Sequence, residues 1–250
     1  DGFGLLAGSV QYNHPVAPGL SLYAGINGTG NFYFSESQFN LAQASLNLGG
    51  SYRRAIDTFA LTYAHGEIIL DGDRYRSSDG VALEWRRQLA PTTTISVTPQ
   101  YARIDYSGDN DVRNANFYAL GFGVRHGWLG PWQPVLNASI YGGRERDIRD
   151  RPDLGRGIVG AAADVTVSPS PFWAFNAGIA YLRSDYDGDI PLLAITRKDD
   201  NYVLSLGALY LIDRNWSTRL EYQYQRNDSV LELFPCQRNL VMLKLRYDFK

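Results

Sequence analysis

The alternation of apolar and polar side chains is the sequence feature that most constrains the fold of this chain. Between residues 20 and 29, Leu20, Leu22 and Ile26 fall on one side of the run, whereas Ser21 and Asn27 fall on the other. Successive side chains of a β-strand point to opposite faces, so this period of two predicts strands with one apolar and one polar face. No apolar run reaches the roughly 18–20 residues that a membrane-spanning helix needs. Transmembrane helices are therefore excluded, whereas transmembrane strands fit the pattern.

Composition also favours an all-β chain. The 250 residues include 17 Tyr and 25 Gly but only one Met, which is typical of strands joined by tight turns. The 24 Lys+Arg residues nearly balance the 26 Asp+Glu residues. This balance gives no basic footprint for nucleic acid, so no nucleic-acid partner is expected. The single cysteine, Cys236, cannot form a disulfide within the chain.

Turn residues divide the sequence into thirteen candidate strands. These strands are Gly4–Tyr12, Leu20–Phe34, Phe39–Arg54, Thr58–Leu70, Val81–Leu89, Thr92–Tyr106, Asn116–His126, Trp132–Glu145, Gly157–Ser168, Phe172–Asp185, Asn201–Ile212, Trp216–Arg226 and Arg238–Phe249.

The connections between these strands differ at the two strand ends. The short ones are Ala55-Ile56-Asp57, Ala90-Pro91, Leu129-Gly130-Pro131, Pro169-Ser170-Pro171 and Asp213-Arg214-Asn215. The longer, charged ones are Asp71–Gly80, Gly108–Asn114, Arg146–Arg156, Tyr186–Asp200 and Asn227–Gln237. Short periplasmic turns and longer external loops are typical of outer-membrane barrels.

Aromatic residues favour the same interpretation. Trp132, Trp173 and Trp216 lie near short turns, whereas tyrosines such as Tyr63 and Tyr202 recur towards the opposite strand ends. Two belts of such rings are typical of the two membrane–water interfaces. We therefore predict an all-β fold, an antiparallel transmembrane β-barrel of the bacterial outer-membrane type. Residues 1–250 would form a single barrel domain. We expect the protein to be an integral protein of the bacterial outer membrane.

The odd number of strands poses a question of closure, because bacterial single-chain barrels have an even number. Gly4–Tyr12 would run from the outside towards the periplasm, so closure requires one more strand. We prefer a fourteen-stranded barrel, of which this chain is the C-terminal part. The alternative is a barrel of twelve strands in which one segment is irregular.

The last strand carries a candidate assembly signal. Apolar residues alternate through Leu243 and Leu245 and end in the aromatic pair Tyr247 and Phe249. This ending resembles the terminal strand signal that the outer-membrane assembly machinery recognises. We therefore expect that machinery to be a partner.

The candidate catalytic residues are few. Of the three histidines, His65 has the best setting, because Glu67 lies on the same face and could orient it as a base. No serine stands in the pattern of a known outer-membrane hydrolase. We therefore expect no enzymatic activity.

The best carboxylate cluster is Asp185, Asp187 and Asp189, which has the one–three–five spacing of a calcium loop. However, Ile190 and Thr196 occupy the positions of the required Gly and Glu. We therefore expect neither a metal nor a cofactor.

The polar faces supply the candidate functional residues, because they would line the lumen of the barrel. Charges of both signs recur there. The lumen-lining candidates are Arg53, Glu84, Arg86, Arg125, Glu145, Asp164, Arg219, Glu221, Lys244 and Arg246. Opposed charges in a pore can set a transverse field or pair with each other, and the sequence leaves both possibilities open.

Four runs in the C-terminal third carry a family resemblance. They are Arg197-Lys198-Asp199-Asp200-Asn201-Tyr202, Arg214-Asn215-Trp216-Ser217, Tyr222-Gln223-Tyr224-Gln225-Arg226-Asn227-Asp228-Ser229 and Gln237-Arg238-Asn239. These runs resemble the barrel domain of the surface lipoprotein assembly modifier family. That resemblance implies a fourteen-stranded barrel preceded by periplasmic helical repeats, which helps to move lipoproteins or small secreted proteins across the outer membrane.

The resemblance therefore implies an outer-membrane channel or translocon that exports or displays a protein substrate. The expected partners are outer-membrane lipid, lipopolysaccharide, and an exported protein or polysaccharide. An exopolysaccharide-export channel or a passive porin is the alternative, and an outer-membrane hydrolase is a more distant one. The resemblance assigns no functional residue.

Overall fold

The computed structural model describes residues 2–191, 193–231 and 233–249. These residues form thirteen strands together with two short 3₁₀ helices, Ser37–Phe39 and Gly108–Arg113. The strands are β1 (Phe3–Ala17), β2 (Leu20–Tyr33), β3 (Leu41–Arg54), β4 (Asp57–Leu70), β5 (Asp73–Ala90), β6 (Thr93–Tyr106), β7 (Ala115–Gly127), β8 (Val135–Asp147), β9 (Arg156–Ser170), β10 (Trp173–Asp189), β11 (Thr196–Leu211), β12 (Trp216–Ser229) and β13 (Cys236–Tyr247).

The thirteen strands form one sheet in which the strands follow one another in chain order, from β1 to β13. β1 pairs antiparallel with β2 from Phe3 to Ala17, and β12 pairs antiparallel with β13 along nearly the whole of both strands. The predicted all-β, antiparallel fold and the count of thirteen strands are therefore confirmed. The fourteenth strand stays a prediction.

One predicted loop is in fact strand. Residues 73–80, expected within the loop Asp71–Gly80, belong to β5, and the connection from β4 is the turn Asp71-Gly72. Both turn residues have positive φ, at 52° and 88°, which is the backbone of the hairpin turns that favour Asp-Gly. The sequence pattern was misleading because polar residues occupy both faces of this part of β5.

The first predicted connection is also shorter than expected. β1 continues through Asn13 and His14 to Ala17, and Pro18-Gly19 makes the turn. The pairing of β1 with β2 shifts register between Pro15 and Ala17. Pro15 is tolerated at this irregularity because proline has no backbone N–H, and a β-bulge does not require one. Gly19 has φ +79°, and a Cβ there would lie 2.5 Å from the carbonyl oxygen of Arg53.

The connection between β7 and β8 is longer than predicted. Trp132 was expected to begin a strand, but β8 begins at Val135. Trp132 and Gln133 both have positive φ, so the backbone is not extended at this point. The expected connection Ala55-Ile56-Asp57 is the tight turn Ala55-Ile56. The expected connection Pro169-Ser170-Pro171 is displaced, because β9 continues through Ser170 and the turn is Pro171-Phe172.

The apolar side chains of the sheet do not form an enclosed core. Within the described residues, the buried hydrophobic side chains are only Ala60, Ala115, Ala119 and Leu231. Large apolar side chains are exposed instead, including Ile179 at 64%, Val241 at 68% and Leu243 at 77%. So much exposed apolar surface marks a face that contacts lipid or protein. Among the described residues, no helix is long and apolar enough to cross a membrane.

The strands belong to two compact units. The first unit contains Asp1–Arg87, Val97–Leu120 and Gly143–Gly155, and the second contains Gln88–Ser96, Gly121–Gly142 and Arg156–Lys250. Each unit has one apolar and one polar face.

Candidate functional site: the polar faces of the sheet

The polar face of the second unit follows from the strand register. Asp164 of β9 lies opposite Gly178 of β10, Gly178 lies opposite Ser205 of β11, and Ser205 lies opposite Gln223 of β12. These side chains share one face because directly paired residues point the same way. In an outer-membrane barrel the polar face lines the lumen.

Three of the predicted lumen residues form one ion cluster on this face. The Arg219 Nε lies 2.7 Å from Oε1 of Glu221, and the Lys244 Nζ lies 2.5 Å from Oε2 of the same carboxylate. Arg219 also donates a hydrogen bond from Nη2 to Oδ1 of Asn176 at 3.0 Å. The Glu221 side chain is only 19% exposed, and it neutralises one of two flanking cations. In this cluster the charges of the predicted lumen residues therefore pair with each other.

Three further predicted residues of the second unit lie apart from this cluster. Asp164 accepts a hydrogen bond from Nδ2 of Asn137 at 3.0 Å. Arg246 pairs with Asp248 on its own strand end, with Nη2 and Oδ1 2.5 Å apart. Arg125 is exposed on β7.

The first unit has a different polar face. Three of its predicted residues, Arg53, Glu84 and Arg86, lie towards the short turns. Arg86 Nε is 3.3 Å from Oε2 of Glu84, and Arg53 and Arg86 both pair with Thr58 of β4. Glu145 lies on β8. Hydroxyl and amide side chains dominate elsewhere. A depression of about 230 Å³ on this unit is lined mainly by polar residues, among them Asn27, Thr29, Gln43, Ser45, Arg76 and Ser78.

Sequence reasoning missed a cluster at the long-loop end of the second unit. The Arg197 guanidinium lies 3.7 Å from the Phe234 ring centroid and 4.9 Å from that of Tyr186. Its Nη2 is 2.7 Å from Oδ2 of the buried Asp199. The alternation that places Asn201 on the polar face would also have placed Arg197 and Asp199 there.

His65 lies on the apolar face of the first unit. Its Nδ1 is 2.9 Å from Oδ1 of Asp79, whereas its Nε2 is 3.8 Å from Glu67. Tyr63 donates a hydrogen bond to the same Asp79 oxygen at 2.5 Å. The principal carboxylate partner is therefore Asp79, which the sequence analysis had assigned to a loop.

The calcium-like spacing of the aspartates does not produce a metal cluster in the part of the chain that the structure describes. Asp185 pairs with Arg183, and Asp189 accepts a hydrogen bond from the Thr196 hydroxyl. Cys236 is exposed, but it begins β13 rather than lying in a loop.

The candidate assembly signal lies on the apolar face. The Tyr247 ring packs 4.8 Å from that of Trp216 and 4.7 Å from that of Phe249. Phe249 is 89% exposed and follows the last residue of β13. Recognition of these rings by the assembly machinery stays a prediction.

Two loop carboxylates have lowered pKa values for different reasons. The pKa of Asp153 lies below its usual range because the Arg151 guanidinium hydrogen-bonds its carboxylate, at 2.8 and 2.7 Å. The pKa of Asp213 is lowered because the backbone N–H groups of Asn215 and Trp216 donate to it, at 2.7 and 2.8 Å.

Comparisons with known proteins agree with this geometry. The profile of the surface lipoprotein assembly modifier family matches residues 6–140, and that of a putative beta-barrel porin family matches residues 160–249. No curated protein sequence matches the chain.

Solved outer-membrane structures share the fold at low sequence identity. The CymD monoaromatic hydrocarbon channel has a TM-score of 0.55 at 9% identity, with 98% of this chain and 86% of that chain covered. A bacterial polysaccharide outer membrane secretin has a TM-score of 0.54 at 9% identity, covering 98% and 91%. The ferric citrate transporter FecA, in its unliganded form, has a TM-score of 0.52 at 14% identity, covering 98% of this chain. The present chain spans only 49% of the length of FecA.

The fold and its two contrasting faces are those of an integral β-barrel protein of the bacterial outer membrane. Because the family profile covers more than half of the sequence, the chain belongs to the surface lipoprotein assembly modifier family. The predicted resemblance is confirmed. However, the runs after Arg197 that suggested it lie in the part that matches the porin family.

Proposed function

We propose that this chain is the channel of an outer-membrane translocon that delivers a lipoprotein or small secreted protein to the cell surface. The observation that carries the proposal is the family match over residues 6–140. The polar faces support it, because they combine neutral hydroxyl and amide groups with paired charges. Such surfaces hydrate a passing chain without binding it tightly.

The test is to delete the gene in the bacterium that encodes this protein and to measure the surface lipoproteins by surface biotinylation and mass spectrometry. We expect a subset to lose surface labelling while its total amount stays constant, and the natural protein to restore labelling. Unchanged labelling would overturn the proposal. Loss of surface polysaccharide instead would favour the polysaccharide-export alternative.

A passive porin is the second candidate, because residues 160–249 match a porin family. The purified chain in lipid vesicles distinguishes the two functions. A porin admits small sugars without any other component, so the vesicles swell, whereas a translocon that needs a delivering partner leaves them unswollen.

We also propose that the protein is not a hydrolase. The His65 imidazole, the best candidate base, lies on the apolar face with Tyr63 and Asp79. The phenol and the imidazole both contact one carboxylate, an arrangement that suits an interfacial structural cluster, and neither a serine nor a cysteine is among these contacts.

A further inference from the structure

The apolar face of the second unit contains a groove that the proposed transport function does not use. It has a volume of about 830 Å³, within the range of about 300–1,000 Å³ typical of small-molecule sites. The alanines Ala161 and Ala163 of β9 lie opposite the larger Tyr181 and Ile179 of β10. Small side chains beside large ones leave a channel along the strands.

Tyrosines border the groove towards the long-loop end of the strands. Tyr181 and Tyr202 lie opposite each other, with ring centroids 5.2 Å apart, and Tyr224 also lines the groove. The Tyr181 hydroxyl donates a hydrogen bond to Oδ1 of Asp200 at 2.5 Å. Tyrosines, which combine an apolar ring with a hydrogen-bonded hydroxyl, are enriched at the membrane–water interface. The groove therefore runs from the acyl-chain region to the level of the lipid headgroups.

Beyond the tyrosines, the same face carries charges. Arg183 lies opposite Asp200, and Asp185 lies opposite Lys198. The Arg183 guanidinium is held by Asp185 at 2.9 Å. Lys198 is exposed and lies opposite Asp185, with which it interacts electrostatically. Because the Asp185 carboxylate is already paired with Arg183, the exposed ammonium group of Lys198 is open to an external anion as well.

These charges identify the kind of lipid. Transfer of an acyl chain from the surrounding lipid into an apolar groove gains little free energy, because lipid tails are as apolar as the groove itself. Selectivity therefore depends on the headgroup. A phosphate beside Lys198 and Arg183 forms charge-assisted hydrogen bonds, which an uncharged headgroup does not. Longer loops face the exterior in such barrels, so the headgroup belongs to the outer leaflet.

We propose that this groove and Lys198 form a binding site for the phosphorylated, acylated anchor of lipopolysaccharide, lipid A. One acyl chain lies along Ala161 and Ala163, and a phosphate contacts Lys198. The inference is independent of what the channel transports, because the site lies on the apolar face.

The test uses the natural protein in detergent and native mass spectrometry with three probes: bisphosphorylated lipid A, its dephosphorylated form, and a triacylated lipopeptide. We expect bisphosphorylated lipid A to bind at least about tenfold more tightly than either of the others. The substitution Lys198→Ala should reduce its binding about tenfold, and Ala163→Leu should reduce it by filling the groove.

Matched controls separate the site from general effects. Arg214→Ala removes an exposed cation from the short turn between β11 and β12, and Ala208→Leu enlarges an apolar-face alanine of β11 outside the groove. Both should bind lipid A as the natural protein does, and far-ultraviolet circular dichroism confirms that each variant keeps its strand content. Equal binding of all three probes, or equal loss in the controls, overturns the proposal. Preferential binding of the lipopeptide also overturns the lipid A proposal and identifies the groove as a binding site for a lipoprotein anchor.

Discussion

The two units of the molecule build their polar faces from different chemistry. On the first unit, hydroxyl and amide side chains such as Asn27, Gln43 and Ser45 line the face. On the second unit, Glu221 lies between Arg219 and Lys244 in an ion cluster. The first unit therefore offers mainly hydroxyl and amide hydrogen-bonding groups, whereas on the second unit the Glu221 carboxylate offsets one of two neighbouring positive charges.

The sequence comparisons divide the chain between residues 140 and 160, although residues 88–96 and 121–140 of the second unit fall within the first match. Residues 6–140 match the lipoprotein assembly family and residues 160–249 match a porin family. One continuous sheet thus combines a part that matches the lipoprotein assembly family with a part that matches a porin family.

The largest expected effect concerns the carboxylate of the ion cluster. Glu221→Ala leaves Arg219 and Lys244 without their shared partner, so we expect the free energy of unfolding to fall by about 1–3 kcal/mol. Glu84→Ala in the first unit removes one side of a longer and more exposed pair with Arg86, which should cost about 0–1 kcal/mol. Denaturant unfolding in lipid vesicles measures both. Equal losses would mean that the cluster is no more cooperative than a simple surface pair.

The second prediction concerns the hairpin turn of the first unit. Gly72 has φ +88° with open space around it, so Gly72→Ala introduces only backbone strain, about 1–2 kcal/mol. Gly157 of the second unit also has open space but no positive φ. Gly157→Ala should therefore change stability by less than about 0.5 kcal/mol. If the two variants were equally stable, Asp71-Gly72 would not be the tight turn described above.

The period-two pattern was sufficient to predict the strands because one apolar face persists along most of them. It failed where both faces are polar, as in residues 73–80 of β5, and at Pro15, where a register shift accommodates proline within β1. Face assignment predicted that Arg219, Glu221 and Lys244 share a face. It could not predict that they meet at one carboxylate, because cross-strand register depends on the turns.

The same limit explains the residues that were missed. Asp79 contacts His65 only because β5 begins at Asp73 and so includes Asp79. The sequence pattern predicted a loop for residues 71–80, so Asp79 was not expected to face His65. Arg197 contacts Phe234 across a connection whose path no periodic pattern describes. Contacts made by turns and loops therefore need the structure, whereas faces of regular strands do not.

The third prediction concerns His65, and its expected effect on function is nil. His65→Ala should leave delivery of surface lipoproteins unchanged and lower stability by no more than about 1 kcal/mol, because the contact with Asp79 is partly exposed. Tyr63→Phe is the matched control, since it removes the other hydrogen bond to Asp79. Assays for lipase, esterase and protease activity accompany both variants. Loss of a measured activity in His65→Ala alone would overturn the proposal that the protein is not a hydrolase.

The smallest expected effects come from two loop carboxylates, one in each unit. The folded-state pKa values of Asp153 and Asp213 lie below their usual range. Each carboxylate therefore stabilises the fold fully above the unfolded pKa of about 3.9. This contribution is lost as the pH falls through the lowered folded pKa. Asp153→Asn and Asp213→Asn should each reduce stability slightly at neutral pH, and each variant should converge with the natural protein at acid pH.

Salt separates the causes of these two shifts. The Asp153 carboxylate, which is 9% exposed, is held by the Arg151 guanidinium, which is 42% exposed, and salt screens such a pair through its exposed member. Asp213 accepts hydrogen bonds from two backbone N–H groups, which carry no net charge. In about 1 M salt, where the Debye length is about 3 Å, the effect of Asp153→Asn should shrink markedly while that of Asp213→Asn largely persists. Denaturant unfolding at several pH values, with and without salt, measures both effects, and equal screening would contradict the assignment of backbone donors to Asp213.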